Sequence, residues 1–152
     1  ISCAKLTNNK YLFRKFFHKK NISNIPFMKV LRTSNGLIKK VENEIGYPFI
    51  IKNVDNSASR GIEIITKKID GKQLDGYVSS AIKASRCGYC IIEKYYHGRE
   101  YTVETLFDVK GNFHPCFITE RYFNHSNGKA LETGLRNPSK LKLKDQKKYL
   151  DL

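Results

Sequence analysis

Residues 46–52 read Gly-Tyr-Pro-Phe-Ile-Ile-Lys, a turn followed by a short apolar stretch that ends on a lysine. The aromatic and β-branched residues of this stretch favour a β-strand over 49–52. A polar loop of small residues, 53–61, leads into a second apolar stretch at 62–65. The pattern therefore predicts a strand-loop-strand unit in which Lys52 ends the first strand and faces the loop.

This arrangement suits phosphate, because an ammonium group supplies charge while exposed backbone N–H groups of a loop supply hydrogen bonds. Lys52 followed by Asn56-Ser57-Ala58-Ser59-Arg60-Gly61 has that form. A Ser-rich loop between strands is, however, more often a plain hairpin, and the P-loop pattern is absent. Taken alone, the loop is a weak indication of phosphate binding.

Capping residues and hydrophobic periodicity predict the elements on either side of this unit. Asn8 and Asn9 can cap a helix over 10–20, and Ser34 can cap a second helix that ends at Gly46. A third helix is expected over 73–85. The other expected elements are strands over 27–31, 89–93, 100–109 and 113–122, a loop over 124–128 and a basic helix from 144. Helices interspersed with short strands and hairpins favour an α+β fold.

Two acidic residues stand at the end of the strand over 89–93. Glu93 closes this apolar strand, and Glu100 follows a turn that contains Gly98. Carboxylates in such positions could accept hydrogen bonds from an exocyclic amine and from sugar hydroxyls. The alternative is a solvent-exposed strand end, which is the commoner explanation of such a pattern.

The length of 152 residues fits one compact domain or two small lobes that share a cleft, and 40% hydrophobic residues can form a core. No apolar run approaches the roughly 20 residues that cross a bilayer. The first residues also lack the charged and apolar regions of a secretory signal. We therefore expect a cytoplasmic protein without a membrane partner.

The net charge of +14 is a feature of nucleic-acid binders, and it also suits a phosphate-rich small ligand. The basic residues occur in short groups, and no block of five or more appears, which is typical of solvated surfaces. We expect nucleic acid not to be the ligand. The alternative is a basic nucleic-acid-binding module in which Tyr95, Tyr96 and Tyr101 stack on bases.

The cysteines and histidines argue against a zinc site. The four cysteines include one Cys-x-x-Cys pair, Cys87 and Cys90, without a second pair to complete the metal coordination. The four histidines are scattered, and none has the i,i+4 spacing that places two ligands on one helix face.

Taken together, the motifs resemble those of the ATP-grasp superfamily over nearly the whole chain. The branch that they resemble most contains the ATP-dependent carboxylate–amine ligases and carbamoyl-phosphate-synthase-like proteins. That family has, in order, a basic residue that opens a helix, a Gly-x-Pro turn, a Gly-Tyr-Pro strand that ends in Lys, a loop that ends in Ser-Arg-Gly, and an acidic motif with two glutamates. The matching segments here are Asn9-Lys10, Asn24-Ile25-Pro26, residues 46–52, Ser59-Arg60-Gly61 and residues 93–100.

The resemblance implies the ATP-grasp fold, with two small α+β lobes whose antiparallel sheets surround a nucleotide cleft. The first lobe, with its leading helix and flexible phosphate loop, would span residues 1–88. The second would span residues 89–152 and would be incomplete at its C-terminus.

The resemblance also implies a role for each residue of an ATP site. Lys52 would contact the α- and β-phosphates, and Lys10 would be a second phosphate-side cation, with Arg14 as the alternative. A loop containing Ser57, Ser59, Arg60 and Gly61 would close over the triphosphate. Glu93 would accept the adenine amino group, the backbone of Lys94, Tyr95 and Tyr96 would bind the adenine edge, and Glu100 would hold the ribose hydroxyls.

The implied activity is that of a ligase that uses ATP to activate a carboxylate as an acylphosphate, which an amine or similar nucleophile then attacks. The implied partners are small-molecule carboxylate and amine substrates, and the implied cofactors are ATP and Mg²⁺. The metal ligands would lie beyond residue 152, so we expect no catalytic or metal-binding residue in this chain and little turnover by the chain alone. A degenerate ATP-grasp domain that binds a partner protein remains a further alternative.

Overall fold

The computed structural model describes residues 2–56, 61–126 and 129–150. Its contacts divide the chain into two compact units, Ile1–Tyr96 with Ser126–Lys129 and His97–His125 with Ala130–Leu152. Both units combine helix with antiparallel strands, which confirms the predicted α+β class.

The first unit holds a four-stranded antiparallel sheet in the order β1-β4-β2-β3. Its elements are, in chain order, α1 (Cys3–Thr7), α2 (Lys10–Lys19), β1 (Phe27–Val30), α3 (Leu37–Glu44), β2 (Phe49–Asn53), β3 (Glu63–Ile65), α4 (Gly71–Lys83) and β4 (Cys90–Lys94). The strand β4 therefore pairs with β1 on one side and β2 on the other. The predicted strands at 49–52 and 89–93 are confirmed as the two inner strands of this sheet.

One face of the sheet in the first unit packs into the core. Phe49 and Ile51 of β2 and Ile92 of β4 are fully buried against Leu74 and Val78 of α4. Side chains alternate between the two faces of a strand, so Lys52 and Glu93 point to the opposite face. Burial of one face of the sheet thus places these two charged residues together on the other.

Several predicted boundaries differ from the structure. The helix expected after Ser34 begins at Leu37, because its N-cap is Gly36, which has a left-handed conformation with φ of 86°. The helix expected from residue 73 begins at Gly71, because Asp70 and Gln73 form a capping box in which Gln73 is the third helical position. The short helix α1 was not predicted.

The strand β4 also bears on the division into lobes. The sequence analysis placed residues 89–94 at the start of a second lobe, whereas their pairing with β1 and β2 puts them in the first compact unit. The division into lobes over 1–88 and 89–152 stays a prediction about the organisation of the whole fold.

The second unit contains a three-stranded sheet in the order β5-β6-β7. Its elements are β5 (Glu100–Phe107), β6 (Phe113–Ser126), β7 (Lys129–Arg136) and α5 (Leu143–Leu150). The predicted β5–β6 hairpin is confirmed, and the Asp108 side chain holds its turn by accepting hydrogen bonds from the backbone N–H groups of Lys110 and Asn112. The prediction of a loop over 124–128 is wrong at its start, because β6 continues to Ser126, and β7 was missed.

Among the described residues, no helix combines the length and apolar composition that a membrane span requires.

We predict opposite effects for two glycine-to-alanine substitutions in the first unit. Gly61 has φ of 62°, and an added Cβ would lie 3.0 Å from the Cβ of Ala84 and 3.2 Å from the Cα of Ala81. Gly61→Ala should therefore lower the free energy of unfolding by about 1–3 kcal/mol, through strain and close contact. Gly76, inside α4, has no atom within 4 Å of an added Cβ. Gly76→Ala should raise the free energy of unfolding by about 0.5–1 kcal/mol, because Ala has a higher helix propensity than Gly.

Urea denaturation of the two variants and the wild-type chain measures both effects. A Gly61→Ala variant as stable as Gly76→Ala would contradict the packing of residue 61 against α4.

Candidate functional site

The centre of the candidate site is the carboxylate of Glu93 on β4. Its Oε1 accepts a hydrogen bond from the Lys52 ammonium, and its Oε2 accepts one from Arg14 Nε at 3.0 Å. The β2–β4 register pairs Ile50 with Glu93 and Lys52 with Ile91, so Lys52 and Glu93 are diagonal neighbours on one face of the sheet. The side chain of Glu93 is only 6% exposed, and both of its oxygens are bound to cations.

The helix α2 supplies two cations of the site, Lys10 and Arg14. Lys10 is its first residue and Arg14 follows four positions later, which places both side chains on the same face. Lys10 Nζ donates a hydrogen bond to the backbone oxygen of Asn56 at 2.8 Å, just before the undescribed segment 57–60. Arg14 also reaches the hydroxyl of Ser23, at 3.4 Å from Nη1.

These side chains surround a cavity of about 160 Å³, lined by Thr7, Lys10, Phe13, Arg14, Lys52 and Glu93. Pockets that enclose a whole ligand are usually larger, on the order of 300–1,000 Å³. The cavity has the size for a few polar groups rather than for a complete nucleotide. Three cationic side chains against one carboxylate leave it with an excess of positive charge, which suits an anion.

The pKa values of the site reflect this crowding of charge. Burial alone raises the pKa of Glu93, but the charges and hydrogen bonds of Lys52 and Arg14 outweigh burial and lower it below its ordinary value of 4.5. The pKa of Lys10 is lowered, first by burial and then by the neighbouring charge of Lys52, although Asp55 and Glu93 act in the opposite direction. Glu93 is therefore ionised at neutral pH, and Lys10 loses its proton more readily than an exposed lysine.

The residues predicted to bind the adenine edge follow Glu93 directly. The Lys94 ammonium donates a hydrogen bond to the Tyr47 carbonyl at 2.5 Å, and the Lys94 backbone N–H donates to the Pro26 carbonyl. The Tyr95 backbone N–H donates to the Pro48 carbonyl at 3.1 Å, and the Tyr96 side chain is 61% exposed. Backbone contacts thus hold this segment beside the entry to β2.

The predicted phosphate loop is described only at its ends. Gly61 packs against α4 as given above, whereas Ser57, Ser59 and Arg60 lie outside the described residues.

The predicted ribose-binding residue, Glu100, is the first residue of β5 in the second unit. Its side chain is 48% exposed, and its Oε2 lies 3.8 Å from Arg121 Nη1. Arg121 also forms an ion pair with Glu132 of the neighbouring strand β7. Glu100 is therefore part of a charged row across the second sheet.

The cysteine pair does not form a metal cluster with its surroundings. Across residues 2–56, 61–126 and 129–150, no group of three or more His, Cys, Asp or Glu side chains could hold a metal ion. Cys87 is exposed, whereas Cys90 is buried within β4, and burial raises the pKa of its thiol to about 12.

The structure brings together three of the residues singled out by the motifs, Lys10, Lys52 and Glu93. It also shows that Arg14, considered as a substitute for Lys10, lines the same cavity beside it. The spacing of four residues on a predicted helix was the signal for that outcome. Sequence reasoning did not place Thr7, Phe13 or the carbonyl of Asn56 at the site, because contacts between α1, α2 and the loop depend on the tertiary structure.

Comparison with known proteins gives one family match. The model of a family described as an ATP-grasp domain matches residues 45–149. No curated protein matches the chain.

Solved structures with the same fold include three enzymes of low sequence identity. The D-Ala:D-Ser ligase VanG of Enterococcus faecalis has a TM-score of 0.77 at 19% identity, and the match covers 96% of this chain and 43% of VanG. The biotin carboxylase of Campylobacter jejuni has a TM-score of 0.73 at 21% identity, over 97% of this chain and 33% of the carboxylase. The N5-carboxyaminoimidazole synthetase of Staphylococcus aureus, in complex with ADP, has a TM-score of 0.68 at 17% identity, over 95% of this chain and 36% of the synthetase. The chain thus spans about a third to two fifths of these proteins.

We predict that the ion pairs of Glu93 contribute stability that depends on pH. The folded-state pKa of Glu93 is lowered, so its contribution is fully present above the unfolded-state value near 4.5 and is lost as the pH falls through the folded-state pKa. At pH 7, Glu93→Gln should lower the free energy of unfolding by about 1.5–3 kcal/mol, because two cations lose a charged acceptor. The difference from the wild-type chain should shrink as the pH falls below about 4.

Urea denaturation between pH 3 and pH 7 measures this effect. The control is Glu44→Gln, since Glu44 is 54% exposed and lies 3.9 Å from an exposed Lys40. It should change stability by less than about 0.5 kcal/mol. A Glu93→Gln penalty that stays constant down to pH 3 would show that the ion pairs are not its source.

Proposed function

The chain belongs to the ATP-grasp family, and from this premise we propose that its first unit binds the phosphates of ATP as part of an ATP-dependent ligase. The observation that supports the proposal is the cavity in which Lys10, Arg14 and Lys52 surround the single carboxylate of Glu93. ATP carries its negative charge on a linear chain of phosphates. A small cavity with several cations suits part of that chain better than it suits a neutral ligand.

Each cation has its own proposed role. Lys52 contacts the α- and β-phosphates, and Glu93 holds its ammonium in place until the ligand arrives. Lys10 and Arg14 act together as the second phosphate-side group, rather than as alternatives, since both line the cavity. The guanidinium of Arg14 can bind two oxygens at once, whereas the Lys10 ammonium acts as a compact charge.

The remainder of the nucleotide site is proposed from the family motifs. Glu93 accepts the adenine amino group, because each of its oxygens retains a lone pair beyond its bond to a cation. The backbone of Lys94, Tyr95 and Tyr96 binds the adenine edge, through groups other than the Lys94 and Tyr95 N–H groups that bond within the protein. Glu100 binds the ribose hydroxyls. Ser57, Ser59, Arg60 and Gly61 contact the triphosphate through backbone N–H groups and the Arg60 side chain.

Magnesium is proposed to bind elsewhere. The carboxylate of the cavity, Glu93, is already held by two cations, and hard divalent cations need several free oxygen ligands. These residues therefore do not fit a magnesium ion. We propose that other residues supply the magnesium ligands and the groups that bind the acceptor.

The proposed reaction is ligation through an acylphosphate. A carboxylate oxygen of the substrate attacks the γ-phosphorus of ATP, and ADP leaves. An amine or similar nucleophile then attacks the acyl carbon, and inorganic phosphate leaves with the oxygen it received. The cations of the first unit hold the phosphates and offset the charge of the transferring group. Because this chain spans 43% or less of the three solved structures described above, we propose that it turns over little by itself.

We predict that ATP binds this chain through the cavity. In calorimetric titrations with ATP, in the presence of Mg²⁺, Lys52→Ala should weaken binding about tenfold or more, since a charged hydrogen bond contributes about 1.5–3 kcal/mol. Lys40→Ala removes the same group from an exposed site with 61% of the side chain accessible. This control should leave the affinity unchanged.

A folded wild-type chain that fails to bind ATP would contradict the proposal. So would equal losses of affinity in Lys52→Ala and Lys40→Ala, because the net charge alone would then control binding. If single-stranded RNA binds with steep salt dependence and displaces ATP from every variant equally, the basic surface is the functional feature instead.

A further inference from the structure

The side chain of Asn9 is buried at the start of α2 and has three hydrogen-bond partners. Its Oδ1 accepts a hydrogen bond from the Leu12 backbone N–H at 3.0 Å, which makes it the N-cap of the helix. Its Nδ2 donates to the Tyr89 hydroxyl at 2.9 Å and lies 3.8 Å from Cys87 Sγ. Only 6% of Asn9 is exposed, although asparagine is usually a surface residue. An N-cap on its own needs only the accepted bond, so the donated bond to Tyr89 calls for a separate explanation.

Tyr89 is itself held firmly at the entry to β4. Its ring contacts Tyr11 edge to face with centroids 6.0 Å apart, and the Lys29 ammonium lies 3.9 Å above its centroid. Aromatic and cation–π contacts of this kind restrict a ring that would otherwise rotate. The Tyr89 hydroxyl is therefore a fixed acceptor that links the start of α2 to the central sheet.

The residue after Asn9 is Lys10, so the hydrogen bond between Asn9 and Tyr89 affects the position of Lys10. The Lys10 backbone N–H donates to the Val54 carbonyl at 2.8 Å, and its ammonium reaches the Asn56 carbonyl at 2.8 Å. The start of α2 is thus attached at residues 9 and 10 to the segments that follow β2 and precede β4, and the Lys10 side chain enters the cavity from the same place. A shift of the helix start would move that ammonium directly.

We propose that Asn9 and Tyr89 are a positioning pair that sets the affinity for polyphosphate by fixing Lys10. The inference rests on the proposed function, since Lys10 acts on phosphate only if the cavity binds ATP. Neither residue touches the ligand. Their hydrogen bond holds the start of α2 in the one place from which Lys10 reaches the phosphates without a further ordering cost.

The side-chain chemistry separates this role from capping. Serine caps a helix well but is too short to bond both Leu12 N–H and the Tyr89 hydroxyl. Aspartate can do both, because the tyrosine hydroxyl can donate to its second oxygen. Tyr89→Phe removes only the hydroxyl and leaves the ring contacts. Asn9→Ser and Tyr89→Phe therefore test the link, and Asn9→Asp should restore it.

The test is calorimetric titration of ATP with Mg²⁺ into each variant, at a temperature where circular dichroism shows every variant folded. Asn9→Ser and Tyr89→Phe should each weaken ATP binding about fivefold, the effect of one net hydrogen bond. Asn9→Asp should lie closer to the wild-type affinity than Asn9→Ser. The matched control is Tyr77→Phe in the same unit, since Tyr77 packs against the core away from the cavity, and it should bind ATP as the wild type does.

A double-mutant cycle separates positioning from a general loss of structure. In a Lys10→Met background, Tyr89→Phe should weaken ATP binding less than twofold, because the group it positions is already gone. An equal fivefold penalty in both backgrounds would overturn the inference, as would a Tyr89→Phe variant with wild-type affinity.

These outcomes are distinct from failure of the proposed function. If the wild-type chain binds ATP and Lys52→Ala weakens binding about tenfold or more while Tyr89→Phe does not weaken it, the phosphate site stands and the positioning role is wrong. If the wild-type chain does not bind ATP, the proposed function fails and the inference fails with it.

Discussion

The rest of the first unit depends on the two ion pairs of the Glu93 carboxylate. Glu93 lies on β4, the strand that pairs with both β1 and β2, and it binds a lysine from β2 and an arginine from α2. Burial of a lone carboxylate would be costly, and burial with two cations reverses the effect on its pKa. One side chain thus ties the sheet to the helix, and it does so on the sheet face opposite the apolar core.

The same constraint explains why a helix so rich in lysine and phenylalanine packs at this position. Arg14 reaches Glu93 and Lys10 reaches Asn56, while the buried Asn9 holds the helix start through Tyr89. No residue of α2 itself is fully buried, and these polar contacts act together with the ring contacts of Tyr11 to set its position. A helix held by directed hydrogen bonds has a better defined orientation than one held by nonspecific apolar contact, which matters for a group that must meet a ligand.

The family motifs pointed to Lys10, Lys52 and Glu93, which line one cavity, and their role in binding ATP stays a prediction. The sequence also predicted the inner strands and the α2 cap, because each has a local signal. Apolar runs mark β2 and β4, and Asn9 precedes a helical stripe. The strand β7 had no such signal. Its leucines, Leu131 and Leu135, are more than 60% exposed, and it forms through pairing with β6 rather than through burial. The partners of Glu93 could not be predicted from the sequence either, since the diagonal contact with Lys52 follows only from the β2–β4 register.

The net charge of +14 does not by itself show which charges could bind a ligand, because exposed lysines and lysines of the cavity differ in their surroundings. Exposed lysines such as Lys40 and Lys148, with 61% and 74% of the side chain accessible, interact with water and ions, and salt screens them over about 8 Å. Lys10 and Lys52 are different, because both are partly buried and the pKa of Lys10 is lowered, first by that burial. Cations crowded in this way repel one another, and Glu93 offsets only part of that repulsion. An entering phosphate would relieve the remainder, so the cavity favours an anion for reasons that the overall charge does not supply.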